Sequence, residues 1–204
     1  MNIEFNKEYI LENNVALLRP LAIADFEHLL PFALNEPELW RYSLRSAAGH
    51  EAMINYINGA DQSRKNKTEY PFIVFDKIQN QYAGCTRFYD IQKDLGNTQL
   101  GFTWYGKDFQ GTGLNKNCKY LLLEFAFETI NAMRVEFRAD FLNKKSIAAM
   151  KSVGCTEEGV LRSNSYRHDG TRRDSIVLSI LRDEWFDHVR TDLQLKLEYK
   201  KKAK

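Results

Sequence analysis

Between an apolar run that ends at Tyr105 and an amphipathic run that begins at Leu114 stands Gly106-Lys107-Asp108-Phe109-Gln110-Gly111-Thr112-Gly113. Closely spaced glycines at a strand-to-helix junction can bind a phosphate. Glycine lets the backbone approach a ligand closely, and the unpaired N–H groups of a helix's first turn point at an anion. The candidate phosphate ligands are the backbone amides of Gly111, Thr112, Gly113, Leu114 and Asn115, with Gln110 at the loop's entry. Two familiar phosphate loops are excluded by spacing. A P-loop needs Lys and then Ser or Thr after its last glycine, where this chain has Leu114 and Asn115. The dinucleotide fingerprint needs a third glycine where Lys116 stands. Taken alone, the loop reads equally as an ordinary strand-to-helix turn.

The elements around the loop supply the context. Leu114, Cys118, Leu121, Leu122, Phe125 and Ala126 put one apolar face on a helix of about four turns. Arg134 to Asp140 alternates as a strand. Asn143 to Cys155 reads as a second helix, with Asn143 as N-cap and Gly154 as its stop. Strands are expected at 158–162 and 173–180, and an amphipathic helix from Arg182 to Leu197. Upstream, Val15 to Arg19 reads as a strand, with an extra strand or hairpin within residues 1–14, at Ile3 to Ile10. Helical pieces are expected at Asp25 to Ala33, Glu38 to Arg45 and His50 to Ile57. Strands follow at Tyr70 to Asp76, Tyr82 to Tyr89 and Thr98 to Tyr105, separated by turn-forming residues. The order β-α-α-β-β-β-α-β-α-β-β predicts a mixed, mostly antiparallel sheet flanked by helices.

Within this order, Gln110-x-x-Gly113-x-Asn115 resembles the Arg/Gln-x-x-Gly-x-Gly/Ala pyrophosphate loop of the GNAT superfamily, the acyl-CoA-dependent N-acetyltransferases. Asn115 stands where the family has Gly or Ala. The Asn143-x-x-Ser146 spacing is similar to the family's second cofactor motif. The resemblance runs from Val15 to Trp185, in the branch that includes ribosomal-protein N-terminal acetyltransferases. It implies an α/β (α+β) fold with a central sheet of about seven strands and a splayed strand pair before the glycine loop.

The resemblance also implies a site. Backbone amides at Phe102, Thr103 and Trp104 would orient the acyl-pantetheine arm, and Gly111 to Asn115 would hold the pyrophosphate. Lys116 could add charge beside the phosphates. Asn143 would reach the pantetheine amide, although as a plain helix cap it looks identical. Ser146 or Tyr166 would protonate the departing thiolate, with a slight preference for Ser146. Many relatives carry a glutamate base where this chain has Gln99, and glutamine takes no proton at neutral pH. A water relayed by Gln99, or a carboxylate such as Asp90 or Asp140, is left for that role. Trp40 and Tyr42, with Arg45 and Tyr56 nearby, are candidates for lining an acceptor cleft.

Composition agrees. With 204 residues, 44% hydrophobic and 27% charged, residues 1–204 suit a single acyltransferase domain, with a frayed basic tail at 198–204. No apolar run approaches a membrane span, and the first residues carry no targeting pattern, so a cytoplasmic protein is expected. Cys85, Cys118 and Cys155 lack metal-ligand spacing and the four histidines are scattered, so no metal is expected. A formal charge of +2 argues against a nucleic-acid binder. The expected activity is transfer of an acetyl group from acetyl-CoA to a primary amine, of a protein N-terminus or a small molecule, by direct attack in a ternary complex. The chain would act as monomer or homodimer. The alternative is a non-catalytic acyl-CoA-binding or regulatory protein, motivated by Gln99.

Overall fold

The computed structural model describes residues 1–202, with side chains as far as Glu198; the end of the basic tail therefore lies outside the described residues. Eight strands form one sheet: β1 (Leu11–Glu12), β2 (Ala16–Pro20), β3 (Tyr70–Asp76), β4 (Gln81–Gln92), β5 (Asn97–Tyr105), β6 (Arg134–Asp140), β7 (Thr156–Tyr166) and β8 (Arg172–Leu181). Their spatial order is β1-β2-β3-β4-β5-β6-β8-β7, antiparallel throughout except where β5 meets β6.

Helices cover both faces, which explains why the central strands read as nearly continuous apolar runs rather than alternating ones. On β3, Tyr70, Phe72 and Val74 face one core and Ile73 the other. The first core is closed by α3 (Leu114–Glu124), α4 (Lys144–Ser152) and α6 (Arg190–Lys202). The second lies under α1 (Phe26–Asn35) and α2 (His50–Lys65), around Leu29, Met53, Ile57 and Trp104. A π-helical turn, Phe125–Thr129, extends α3. The one-turn α5 (Arg182–Glu184) and a second π-helical turn, Trp185–Val189, lead into α6.

Two expectations need correction. Ile3 to Ile10 is not a strand. Ile3, Phe5 and Tyr9 are buried as anchors, but Glu4 N and Tyr9 N donate to the hydroxyls of Tyr9 and Tyr70. Lys7 N closes a local turn on Glu4 O, and Asn2 N just before the segment donates to Ile130 O. The hairpin expected in this region forms instead from the short β1 and β2. Glu38 to Arg45 is not a helix either. Only Pro37–Trp40 makes a 3-10 turn, which drops Trp40 into the second core. The chain then runs irregularly to Gly49, whose φ of 93° redirects it into α2.

The ladder around β5 shapes everything that follows. Cys85 pairs with Trp104 and Arg87 with Gly101, so β5 carries one more residue than β4 across this interval. That is a β-bulge at Phe102 and Thr103, and Phe102 has a φ of +50°. On the other edge, β5 pairs with β6 only at Asn97↔Arg134, Thr98↔Val135 and Gln99↔Glu136. Beyond Gln99 the strands part: β6 continues along β8 and β5 along β4. The sheet is forked there, as the expected splayed pair requires.

Candidate functional site

A cleft of about 810 Å³ occupies the fork. Its floor and walls come from β5 and β6, its rim from the glycine loop and α4, and its far end from the chain around Tyr42 and from β8. The polar groups that line it converge from elements well separated in sequence.

At the rim, Gly111 and Gly113 adopt φ values of 78° and 106°. A side chain in that region costs roughly 1–2 kcal/mol, so both positions favour glycine. Gly113 is the N-cap of α3 and, as glycine, offers no side chain to cap it. Thr112 Oγ1 braces the loop by donating to Phe109 O and accepting from Leu114 N. Leu114 itself is buried in the core and contributes only backbone. Gln110 Nε2 donates to Tyr105 O, 2.8 Å away, and its Oε1 accepts from Lys145 on α4. The loop and α4 are thus joined across the mouth. Lys145 adds a cation at the rim that motif spacing did not single out.

The arrangement fits a CoA-like ligand. Space beside Gly111 is open where a Cβ would stand. Asn115 Oδ1, in the cleft lining, is buried without a hydrogen-bond partner, leaving an acceptor for a ligand donor. Asn143 lines the cleft and is also the α4 cap, its Oδ1 accepting from Ser146 N at 3.0 Å. Ser146 lines the same wall, half-buried, with its hydroxyl free of bonds among the described residues. Phe102, Thr103 and Trp104 follow along β5 through the bulge.

Deeper, Gln99 Nε2 donates to Asp90 Oδ2 on β4 at 2.8 Å. Asp90 is exposed, lines the cleft, and holds a φ of 47°. Asp140 is a poorer base. Burial favours its neutral form, but two hydrogen bonds from Arg167 and one from Leu142 N outweigh this and hold its pKa below the usual range. Tyr89 lies against Gly101, where a Cβ would sit 2.8 Å from its ring. Burial pushes the Tyr89 hydroxyl up to about 12. Arg173 is buried, with its pKa lowered by burial. Its Nη1 makes one long bond of 3.5 Å to Tyr42 O, and its Nε has no partner.

The acceptor end is less as expected. Tyr42 and Trp40 both line the cleft, but Trp40 is 1% exposed and packs on Trp104 with ring centroids 5.3 Å apart. Trp40 therefore acts mainly as packing. Tyr56 lines the cleft and accepts from Trp104 Nε1. Tyr166 is not brought to the site. It is 59% exposed and stacks on Arg172, while Asn164 and Ser165 just before it line the cleft.

Known proteins give this geometry a class. The acetyltransferase (GNAT) domain family matches residues 16–156, and the chain belongs to that family. It is an N-acetyltransferase, of a family that uses acetyl-CoA. A 103-residue stretch is 29% identical to YdaF of Bacillus subtilis (strain 168), named as a ribosomal N-acetyltransferase; the match spans 50% of this chain and 55% of that protein's length. An acetyltransferase crystal structure from T. thermophilus is 32% identical, covers 92% of this chain and 96% of its own, and superposes with a TM-score of 0.82. RimJ of Mycobacterium smegmatis, solved in complex with CoA-disulfide, shares the fold at 18% identity, with a TM-score of 0.78 and 93% of each chain covered. Among the described residues no helix is long and apolar enough to cross a membrane, and no group of metal-ligand side chains occurs.

Proposed function

We propose that residues 1–204 form a single acyl-CoA N-acyltransferase domain that moves an acetyl group from acetyl-CoA to a primary amine by direct attack in a ternary complex. The acceptor is a protein N-terminus or a small amine; the name of YdaF favours a ribosomal-protein branch of the family. The three cysteines are buried and unpaired, in keeping with a reducing cytoplasm.

The observation that carries this reading is the fork. The start of α3, at the glycine loop, opens onto a groove between unpaired strand edges that is also lined by Gln99 and its carboxylate partner Asp90. In the reaction, the loop amides from Gly111 to Asn115 hold the pyrophosphate. Asn143 and the β5 amides at Phe102 to Trp104 align the pantetheine arm and polarise the thioester carbonyl. Asp90, oriented by Gln99, takes the proton of the attacking amine directly or through a water. Ser146, whose hydroxyl has no partner among the described residues, passes a proton to the departing thiolate. Asp90 thus supplies the carboxylate missing at position 99, which disfavours a merely binding role.

The test is acceptor-dependent thiol release from acetyl-CoA, using N-terminal peptides, amino acids, polyamines and aminoglycosides, with calorimetric binding of acetyl-CoA alongside. Release that depends on acceptor and collapses in Gly113→Val supports the enzyme. Failure of acetyl-CoA to bind overturns it.

A further inference from the structure

Lys119 is the polar residue least suited to its surroundings. It projects from α3, is 6% exposed, and lines the cleft. Its Nζ donates to Thr103 Oγ1 at 3.0 Å, and that oxygen lies 2.8 Å from Thr86 Oγ1. Nζ also sits 5.5 Å from the centroid of the Phe137 ring. No carboxylate pairs with it among the described residues. The titratable groups that face it are Cys118, its neighbour on α3, and Cys155, beyond the end of α4. Burial raises both thiols to about 12, so both are neutral and neither balances the charge.

The position matters as much as the burial. Thr103 belongs to the bulge of β5, and Phe137 is the first residue of β6 after the last paired one, Glu136. Lys119 Nζ therefore lies between β5 and β6 beyond their last paired residues, inside the fork. An acyl-pantetheine arm aligned on the β5 amides at Phe102 to Trp104, as in the reading above, passes beside Thr103 and so beside this ammonium. An ammonium with one hydroxyl partner keeps two N–H donors for a ligand, and an uncompensated buried cation favours an anion beside it.

We propose that Lys119 holds the sulfur end of the pantetheine arm and stabilises the CoA thiolate as it leaves. This rests on the acyl-transfer reading above. As the amine nitrogen bonds to the carbonyl carbon, the C–S bond breaks and its electron pair passes to sulfur. The Lys119 ammonium donates a hydrogen bond to that sulfur, so the charge forms beside a cation. The proton that completes the CoA thiol comes from Ser146 or from Lys119 itself, which then recovers one from solvent. Burial lowers the Lys119 pKa to about 8, a better match to a thiol than a serine hydroxyl is.

The test uses the full chain with CoA and acetyl-CoA as probes, comparing wild type with Lys119→Met and Lys119→Arg. Methionine keeps much of the stem volume without charge, and arginine keeps the charge without a proton to give near neutral pH. The first readout is the far-ultraviolet thiolate absorbance of bound CoA against pH. Wild type and Lys119→Arg are expected to hold the bound thiol ionised at lower pH than Lys119→Met, by about one unit or more. CoA affinity above the thiol midpoint falls about tenfold in Lys119→Met, while acetyl-CoA, which has no ionisable sulfur, binds within about twofold. An unchanged thiol titration in Lys119→Met overturns the proposal while leaving the acyltransferase reading intact. A wild-type protein that binds neither probe overturns both.

Discussion

Gln99 and Asp90 are joined by a 2.8 Å hydrogen bond across the β4–β5 pair, at the level where β5 makes its last contact with β6. The glutamine that replaces a carboxylate on β5 thereby presents one from β4. Gln92 Nε2 donates to the other oxygen of Asp90 at 3.2 Å, so two amides orient it. Asp90→Asn should lower kcat by about 10²–10⁴ with acetyl-CoA affinity unchanged. Gln99→Ala should cost less, and the double variant should cost less than the product of the two single losses. Steady-state kinetics with calorimetry checks this; full activity in Asp90→Asn would remove the carboxylate from the mechanism.

The glycine loop makes a separate prediction. Gly113 holds a φ of 106° at the start of α3, so Gly113→Val strains the backbone at the proposed pyrophosphate amides. A loop that shifts to relieve the roughly 1–2 kcal/mol left-handed penalty should lower acetyl-CoA affinity by about 5- to 30-fold. Calorimetry gives the affinity, and thermal unfolding shows whether the fold survives.

Asn143 has a structural role and a proposed binding role, which two variants separate. Asn143→Ala removes the cap to Ser146 N and should destabilise the protein by about 1 kcal/mol. Asn143→Asp keeps the cap and should restore stability, but it lacks the amide donor and should still weaken acetyl-CoA binding. If Asn143→Asp binds as wild type does, Asn143 is only a cap.

Ser146 and Tyr166 should differ sharply. Tyr166→Phe removes a hydroxyl that points away from the cleft and should leave kcat within about twofold. Ser146→Ala should lower kcat by about 10–10² without weakening acetyl-CoA binding. Turnover assays on both variants distinguish them, and a large loss in Tyr166→Phe would reverse the assignment.

Acid should weaken the fold through Glu158. Hydrogen bonds from Arg134, strengthened by one from Ser179 Oγ, hold its carboxyl at about 2. A carboxylate depressed in the folded state stabilises above its unfolded pKa, about 4.3, and loses that contribution as pH falls toward the folded value. The group is partly exposed, so the effect is modest. Between about pH 5 and pH 2, the melting temperature of wild type should fall more steeply than that of Glu158→Gln. Parallel melting curves would refute this.

What the sequence determined was local. Apolar spacing placed β3 and β6 at the bounds seen in the structure, and the glycine loop and the cap at Asn143 were legible because backbone conformation and helix ends follow from nearby residues. The same rules misread Ile3 to Ile10, where alternating burial arises from anchoring against Ile130 and Tyr70 rather than from a ladder. They also left Asp90 and Asp140 equal, since nothing local shows that Arg167 neutralises one while Gln99 presents the other. Lys119 was the residue most hidden. It sits in a helix buried on nearly every side from Cys118 to Leu123, a pattern that could have marked its stem as interior. Only the tertiary structure, by bulging β5 at Phe102 and parting it from β6 after Gln99, opened the fork that gives a buried lysine a place in the cleft wall.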